Sequence, residues 1–98
     1  MNWPFHDAPD VVVLTTRSVI ENNDWIHYVS HDADDGAWQF LSVSGAPDDE
    51  SDARVVLLRN IIAKDPSLNL IADLPLGWFA WRDTADGHWK RRKQKSEV

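Results

Sequence analysis

Two Asp-Gly dipeptides set the first limit on what this chain can fold into. Asp35-Gly36 lies in "HDADDGAWQF" and Asp86-Gly87 in "RDTADGHWKRR", each between runs rich in aromatic residues. Asp-Gly placed in this way is a strong short-range hairpin signal, because both central positions of a type I′ turn require positive φ. Sliding the chain by 51 residues superimposes Asp32 on Asp83, Asp35 on Asp86, Gly36 on Gly87 and Trp38 on Trp89. The matched window is only about a dozen residues, which fits two hairpins meeting the same turn solution better than a duplication. Paired antiparallel strands are therefore expected, with the turn carboxylates of Asp32, Asp34 and Asp35 left in water.

The remaining segments read consistently with that expectation. "DVVVLTT" is a continuous apolar run bounded by Asp10 and Thr15-Thr16, which predicts a buried strand. A short helical turn follows, with Thr16 as its cap and Asn22-Asn23 at its end. "WIHYVSH" and "AWQFLSV" read as strands, the second placing Trp38 and Phe40 on one face and Gln39 and Leu41 on the other. Residues 44–52, "SGAPDDESD", form a loop by composition. The run "ARVVLLRNIIAK" predicts a strand to about Leu57 and then a helix ending near Lys64. Asp65-Pro66 restarts a helical turn, since aspartate caps and proline suits the first position. "GWFAWRD" and "HWKRR" predict two final strands. The fold class is α+β: a small antiparallel sheet of hairpins with one or two short helices packed on it.

Ninety-eight residues allow one domain. Residues 10–89 are expected to form it, with residues 1–9 as an N-terminal extension and 90–98 as a basic tail. Six tryptophans supply large buried areas to a short chain that has no cysteine. Trp78 and Trp81, three apart on a strand, face opposite sides of the sheet. Most tryptophans belong to the core, and one or two are expected to be exposed. Without cysteine there are no disulfides or thiolate metal sites. "MNWPFHDAPD" lacks the pattern of a secretory signal, and no run of about 18 apolar residues suggests a membrane span. A cytoplasmic location is expected.

Charge is unevenly placed. Residues 90–98 hold five basic groups and one acid, net +4, while the other 89 hold five basic and fifteen acidic groups, net −10. An acidic body repels nucleic-acid phosphate and attracts cationic surfaces. The tail is expected to be disordered and solubilising. As an alternative, Lys90, Arg91, Arg92, Lys93 and Lys95 offer phosphate contacts.

Motifs of chemistry are sparse. Counted from Asp32, a calcium loop needs an acid at position 5 and glutamate at position 12, but finds Gly36 and Val43. His27 and His31 are four apart, which on a strand separates them by roughly 13 Å and disfavours zinc. Asp32, Asp34 and Asp35 as an acid–base set would need burial to separate their pKa values, which a turn tip does not offer. Ser42 and Ser44 lack a nucleophile elbow, and no glycine loop cradles phosphate. His6 and His88 stand alone. No metal, cofactor or catalytic residue is expected; a small enzyme of unknown reaction is a further alternative, and it would require a concave pocket holding a buried carboxylate or histidine.

The stretches "DDGAWQFLSVSG" and "RNIIAKDPSLNLIADLPLGWFAWRD" resemble a bacterial domain family of unknown function, some of whose members look like immunity proteins of polymorphic toxin systems. The resemblance rests on Asp34, Asp35, Gly36, Trp38 and Phe40, on Asp65, Pro66, Ser67 and Leu68, and on Leu74, Pro75, Gly77 and Arg82. It spans about residues 10–90 and departs where Ala46-Pro47 separates Ser44-Gly45 from Asp48-Asp49. It implies binding without catalysis, by a small acidic protein that covers a toxin. The expected contact surface joins the Asp32–Asp35 turn to the acidic loop Asp48, Asp49 and Asp52, with Trp38 and Trp81 as aromatic anchors and a basic protein as partner. Opposite fields would speed that docking.

Overall fold

The computed structural model describes residues 3–44 and 50–95. Its elements run β1 Val12–Thr16, α1 Arg17–Glu21, β2 Tyr28–His31, β3 Trp38–Leu41, a 3-10 turn Glu50–Asp52, β4 Ala53–Leu57, α2 Leu58–Lys64, a 3-10 helix Pro66–Ile71, β5 Trp78–Trp81 and β6 Lys90–Lys93. The six strands form one sheet in the order β4-β1-β3-β2-β5-β6. The α+β class is as expected. The sheet, however, is mixed: β1 pairs with β3 in parallel, Leu14 opposite Gln39, while the other pairings are antiparallel. β3 inserts between β1 and β2, so the first two strands are neighbours in sequence but not in the sheet.

Local chemistry accounts for the breaks between elements. α1 stops where Asn23 takes φ 56, a left-handed conformation that asparagine tolerates. Thr16 holds the N-cap position, but its hydroxyl lies 3.1 Å from Ser18 Oγ and caps no backbone N–H. α2 ends because Pro66 pushes Asp65 out of the helical region, to φ −140 and ψ 89. The Asp65 carboxylate then accepts from Ser67 N–H at 3.1 Å and restarts the chain as a 3-10 helix.

Inward-facing Val13, Val29, Trp38, Phe40 and Ala80 pack against Val19 of α1, Leu58, Ile61 and Ile62 of α2, and Leu68 and Ile71 of the 3-10 helix. Phe5, 5% exposed, joins this core and meets Trp38 edge-on at 5.3 Å. The Pro9 carbonyl accepts from Arg59 N–H at 2.9 Å. Residues 3–9 therefore belong to the domain and do not extend from it. The strand expected in "HWKRR" is present as Lys90–Lys93, an edge strand paired residue by residue with β5, so these residues are not part of a disordered tail.

Neither Asp-Gly corner is a type I′ turn. Between β2 and β3, Asp32 N–H donates to the Ala37 carbonyl at 2.8 Å and Gly36 N–H to the Asp32 carbonyl at 2.9 Å. Gly36 has φ 73, but Asp35 does not share the positive φ a type I′ turn demands. Its carboxylate instead accepts from Ala37 N–H at 2.9 Å. The longer loop 82–89 joins β5 to β6, and there Gly87 has no positive φ. The carboxylates of Asp34, Asp35, Asp83 and Asp86 are exposed, as expected. Among the described residues, no helix is long and apolar enough to cross a membrane.

Candidate functional site

Ladder register assigns each strand residue to a face. The outer face carries Val55 and Leu57 from β4, Val12 and Leu14 from β1, Gln39 and Leu41 from β3, Tyr28 and Ser30 from β2, Phe79 and Trp81 from β5, and Lys90 and Arg92 from β6. An antiparallel sheet with one face in water ordinarily puts polar residues there. Here that face is largely aliphatic and aromatic, with Val12 61% and Val55 67% exposed. The buried apolar side chains of the described helices all go to the opposite face.

The outer face has two halves. Over β4 and β1 it is aliphatic. Over β2 and β5 it is aromatic: Tyr28 stacks on Phe79 at 5.5 Å, and Phe79 lies 5.5 Å from Trp81. Arg92 sits 5.7 Å from the Trp81 ring, and Lys90 is 2.7 Å from Asp83. Burial raises the Tyr28 phenol pKa, a hydrogen bond with Gln94 works against it, and the Asp32 charge adds to the rise. Within β6, Lys90 and Arg92 share the face of these rings, while Arg91 and Lys93 pair with Ala80 and Trp78 on the inner face.

The acidic surface predicted from sequence is not assembled. The Asp32–Asp35 turn adjoins the start of β3, while Asp52 precedes Ala53, which pairs with Thr16 at the end of β1. Because β1 and β3 are parallel, these acids lie at opposite ends of the sheet. Asp48 and Asp49 lie outside the described residues. Asp32 is half-buried and accepts from Gln39 Nε2 at 2.8 Å. Trp38 is 2% exposed on the inner face, so it cannot anchor a partner. Trp81 is half-buried on the outer face and can. None of the six tryptophans is fully exposed among the described residues.

Sequence reasoning missed two further arrangements. A cleft of about 480 Å³ lies between the N-terminal segment, Gly36 and residues 72–76. Inside it, His31 donates from Nδ1 to the Leu74 carbonyl at 2.7 Å, since a carbonyl can only accept. The ring stacks on Trp38 at 3.9 Å, and Trp38 Nε1 donates to Asp7 Oδ1 at 3.2 Å. The cleft lining holds no serine, threonine or lysine nucleophile. Among the described residues, no group of three histidine or carboxylate side chains is placed to hold a metal.

The second is a buried cation. Arg82 is 2% exposed, 2.6 Å from Asp65 Oδ2, and donates through Nε to the Ile26 carbonyl at 2.9 Å and through Nη1 to Ser67 Oγ at 3.0 Å. Its guanidinium carbon lies 4.4 Å from the Trp89 ring and 5.7 Å from that of Trp25. With three of its N–H groups bonded and two indole rings close by, this group ties Asp65, Ser67 and the Ile26 carbonyl together. Its signal in the sequence is Asp65-Pro66-Ser67 followed by an arginine directly after a strand.

No family model, curated protein or solved structure matches this chain.

Proposed function

We propose that this chain is a non-enzymatic protein-binding module whose contact surface is the aromatic half of the outer sheet face, centred on Trp81. The observation that carries this reading is the half-buried pair Phe79 and Trp81 on a face the described helices leave uncovered. Contiguous apolar surface of this kind marks interaction sites, and tryptophan and tyrosine are enriched among residues that dominate binding energy. An immunity-like role, masking a toxin in a bacterial cytoplasm, fits this module. The rim beside Trp81 carries Lys90 and Arg92, so the partner is acidic at that contact, in place of the basic partner that overall charge suggested.

Affinity capture from the source cell tests this reading with three baits: wild type, Phe79→Ala and Trp81→Ala, matched for folding by circular dichroism. One protein held by wild type and lost by both variants is expected. Equal capture by all three removes the proposed surface. For the immunity-like role, wild type but not Trp81→Ala should restore growth to cells expressing an inhibitory protein encoded beside it.

A second reading draws on the position of β6. Lys90 and Arg92 flank stacked aromatic rings, an arrangement that single-stranded nucleic acid binders use to hold bases and backbone. It predicts salt-sensitive binding of a single-stranded oligonucleotide, abolished by Arg92→Glu. The net charge of −6 works against it.

A further inference from the structure

The two edges of the sheet are unlike. β6 presents four consecutive cations, Lys90–Lys93, and charge of one sign on an edge prevents pairing with a copy of itself. β4, sequence ARVVL, has no such guard. Its single charged residue, Arg54, is held by Glu21 Oε2 at 2.6 Å and by the Ser51 carbonyl at 2.7 Å. Val55 at the strand's centre is 67% exposed, and Val12 on the adjoining strand is 61% exposed. An exposed apolar edge without lysine, proline or a bulge is a template for strand addition.

Charge along the chain favours one direction of addition. Glu50 and Asp52 lie in the 3-10 turn that leads directly into β4, and Arg59 lies in the first turn of α2, which follows it. Antiparallel pairing of two β4 strands brings the acidic end of one beside the cationic end of the other, whereas parallel pairing stacks like on like. From this asymmetry we infer that β4 pairs antiparallel with β4 of a second copy about a two-fold axis through Val55. In that register Val55 faces its own copy, Arg54 faces Val56 and Ala53 faces Leu57, so no like charges oppose. The two sheets join into one of twelve strands, and the aliphatic half of the outer face, Val12, Leu14, Val55 and Leu57, becomes continuous across the axis. This is independent of the Trp81 surface, which lies on the far half of the sheet.

Because the chain has no cysteine, a single introduced thiol reads the geometry directly. Residues directly opposite in an antiparallel pair have Cα atoms about 4.5–5.5 Å apart, within disulfide range. Two Val12 residues, each opposite Leu57 of its own copy, would be three strand spacings apart across the sheet and four residues apart along it, roughly 20 Å, beyond that range. Under mild oxidation, Val55→Cys should cross-link into a dimer at least about tenfold faster than Val12→Cys. Wild type should show twice the monomer mass by light scattering at high protein concentration, and Val55→Lys, at this exposed site, should stay folded and run as a monomer. Wild type that stays monomeric overturns the inference. So does equal cross-linking of the two cysteine variants, or a dimer that survives Val55→Lys unchanged.

Discussion

Arg82 and Asp65 meet at 2.6 Å between Nη2 and Oδ2, with the guanidinium buried and the carboxylate 22% exposed. Asp65 also starts the 3-10 helix by accepting from Ser67 N–H and Ser67 Oγ through its other oxygen. One carboxylate thus ties the end of α2, the 3-10 helix and the residue after β5 to a single cation. Removing one member of a buried pair leaves the other uncompensated, which typically costs about 3–5 kcal/mol. Arg82→Ala should lose stability of about that size. Asp65→Ala should lose somewhat less, since its site is partly wet. Arg82→Lys should recover little, because one ammonium cannot fill three donor directions and two stacked faces. Urea melts measure all three, and a loss under about 1 kcal/mol for Arg82→Ala would refute the role.

The two glycines of the Asp-Gly corners are required for different reasons. At Gly36, φ is 73 and a Cβ would meet nothing closer than 3.8 Å, so Gly36→Ala pays only for conformation, about 1–2 kcal/mol. At Gly87 the φ is unrestricted, but a Cβ would lie 2.8 Å from Thr84 Oγ1 and 3.3 Å from the Thr84 carbonyl oxygen. Thr84→Ala should therefore rescue part of the loss in Gly87→Ala and none of that in Gly36→Ala. A double-mutant cycle decides it: additivity at both glycines would contradict the steric account.

How far these features were legible differs by element. The change from β4 to α2 at Leu57 and Leu58, and the restart at Asp65-Pro66, were readable because apolar spacing and proline act within a few residues. The parallel neighbour of β1 was not, since alternation along a strand says which side is buried and never which strand lies beside it. The strand read in "HWKRR" was legible and lies slightly later, at Lys90–Lys93, but the start of the tail was set too early at residue 90, because every position of β6 is exposed and burial leaves no mark on it. Arg82 was missed because arginine is ordinarily a surface residue and its partner sits 17 positions away. Asp34 and Asp35 were read correctly as wet, whereas Asp32 is half-buried and bonded to Gln39. The union of this turn with Asp52 failed on the same unseen strand order.

Titration separates the β6 contacts from the outer face. Asp83 is held below its ordinary pKa by the hydrogen bond and charge of Lys90, and Asp73 by those of Arg91. A lowered folded pKa contributes stability that is present above the unfolded value and lost as pH falls through the folded one. Both carboxylates are exposed, so the effect is modest and screened by salt. Protection factors of the β6 amides, taken relative to the intrinsic exchange rate at each pH, should fall below about pH 4, and Asp83→Asn with Asp73→Asn should remove that dependence. Tyr28 has the opposite sign: its raised pKa favours the neutral folded form, so its stabilisation is full below the unfolded value and declines as pH rises through the folded one. Tyr28→Phe should flatten the alkaline limb, and an unchanged limb would count against the burial of that phenol.

A residue kept for a partner should be cheap to lose from the fold. Trp38, stacked between His31 and Phe40 at 3.9 and 6.0 Å and hydrogen-bonded to Asp7, lies in the core. Trp38→Ala should cost about 3–5 kcal/mol, the range for buried tryptophan. Trp81 has water on one side and contacts Phe79 and Arg92 on the other. Its truncation forfeits an aromatic contact of about 0.5–1.5 kcal/mol plus the part of its area already removed from water. Trp81→Ala should therefore destabilise by less than half as much as Trp38→Ala in the same urea series. A ratio near one would make Trp81 a core residue, and the outer face would then be explained by stability, with no partner needed.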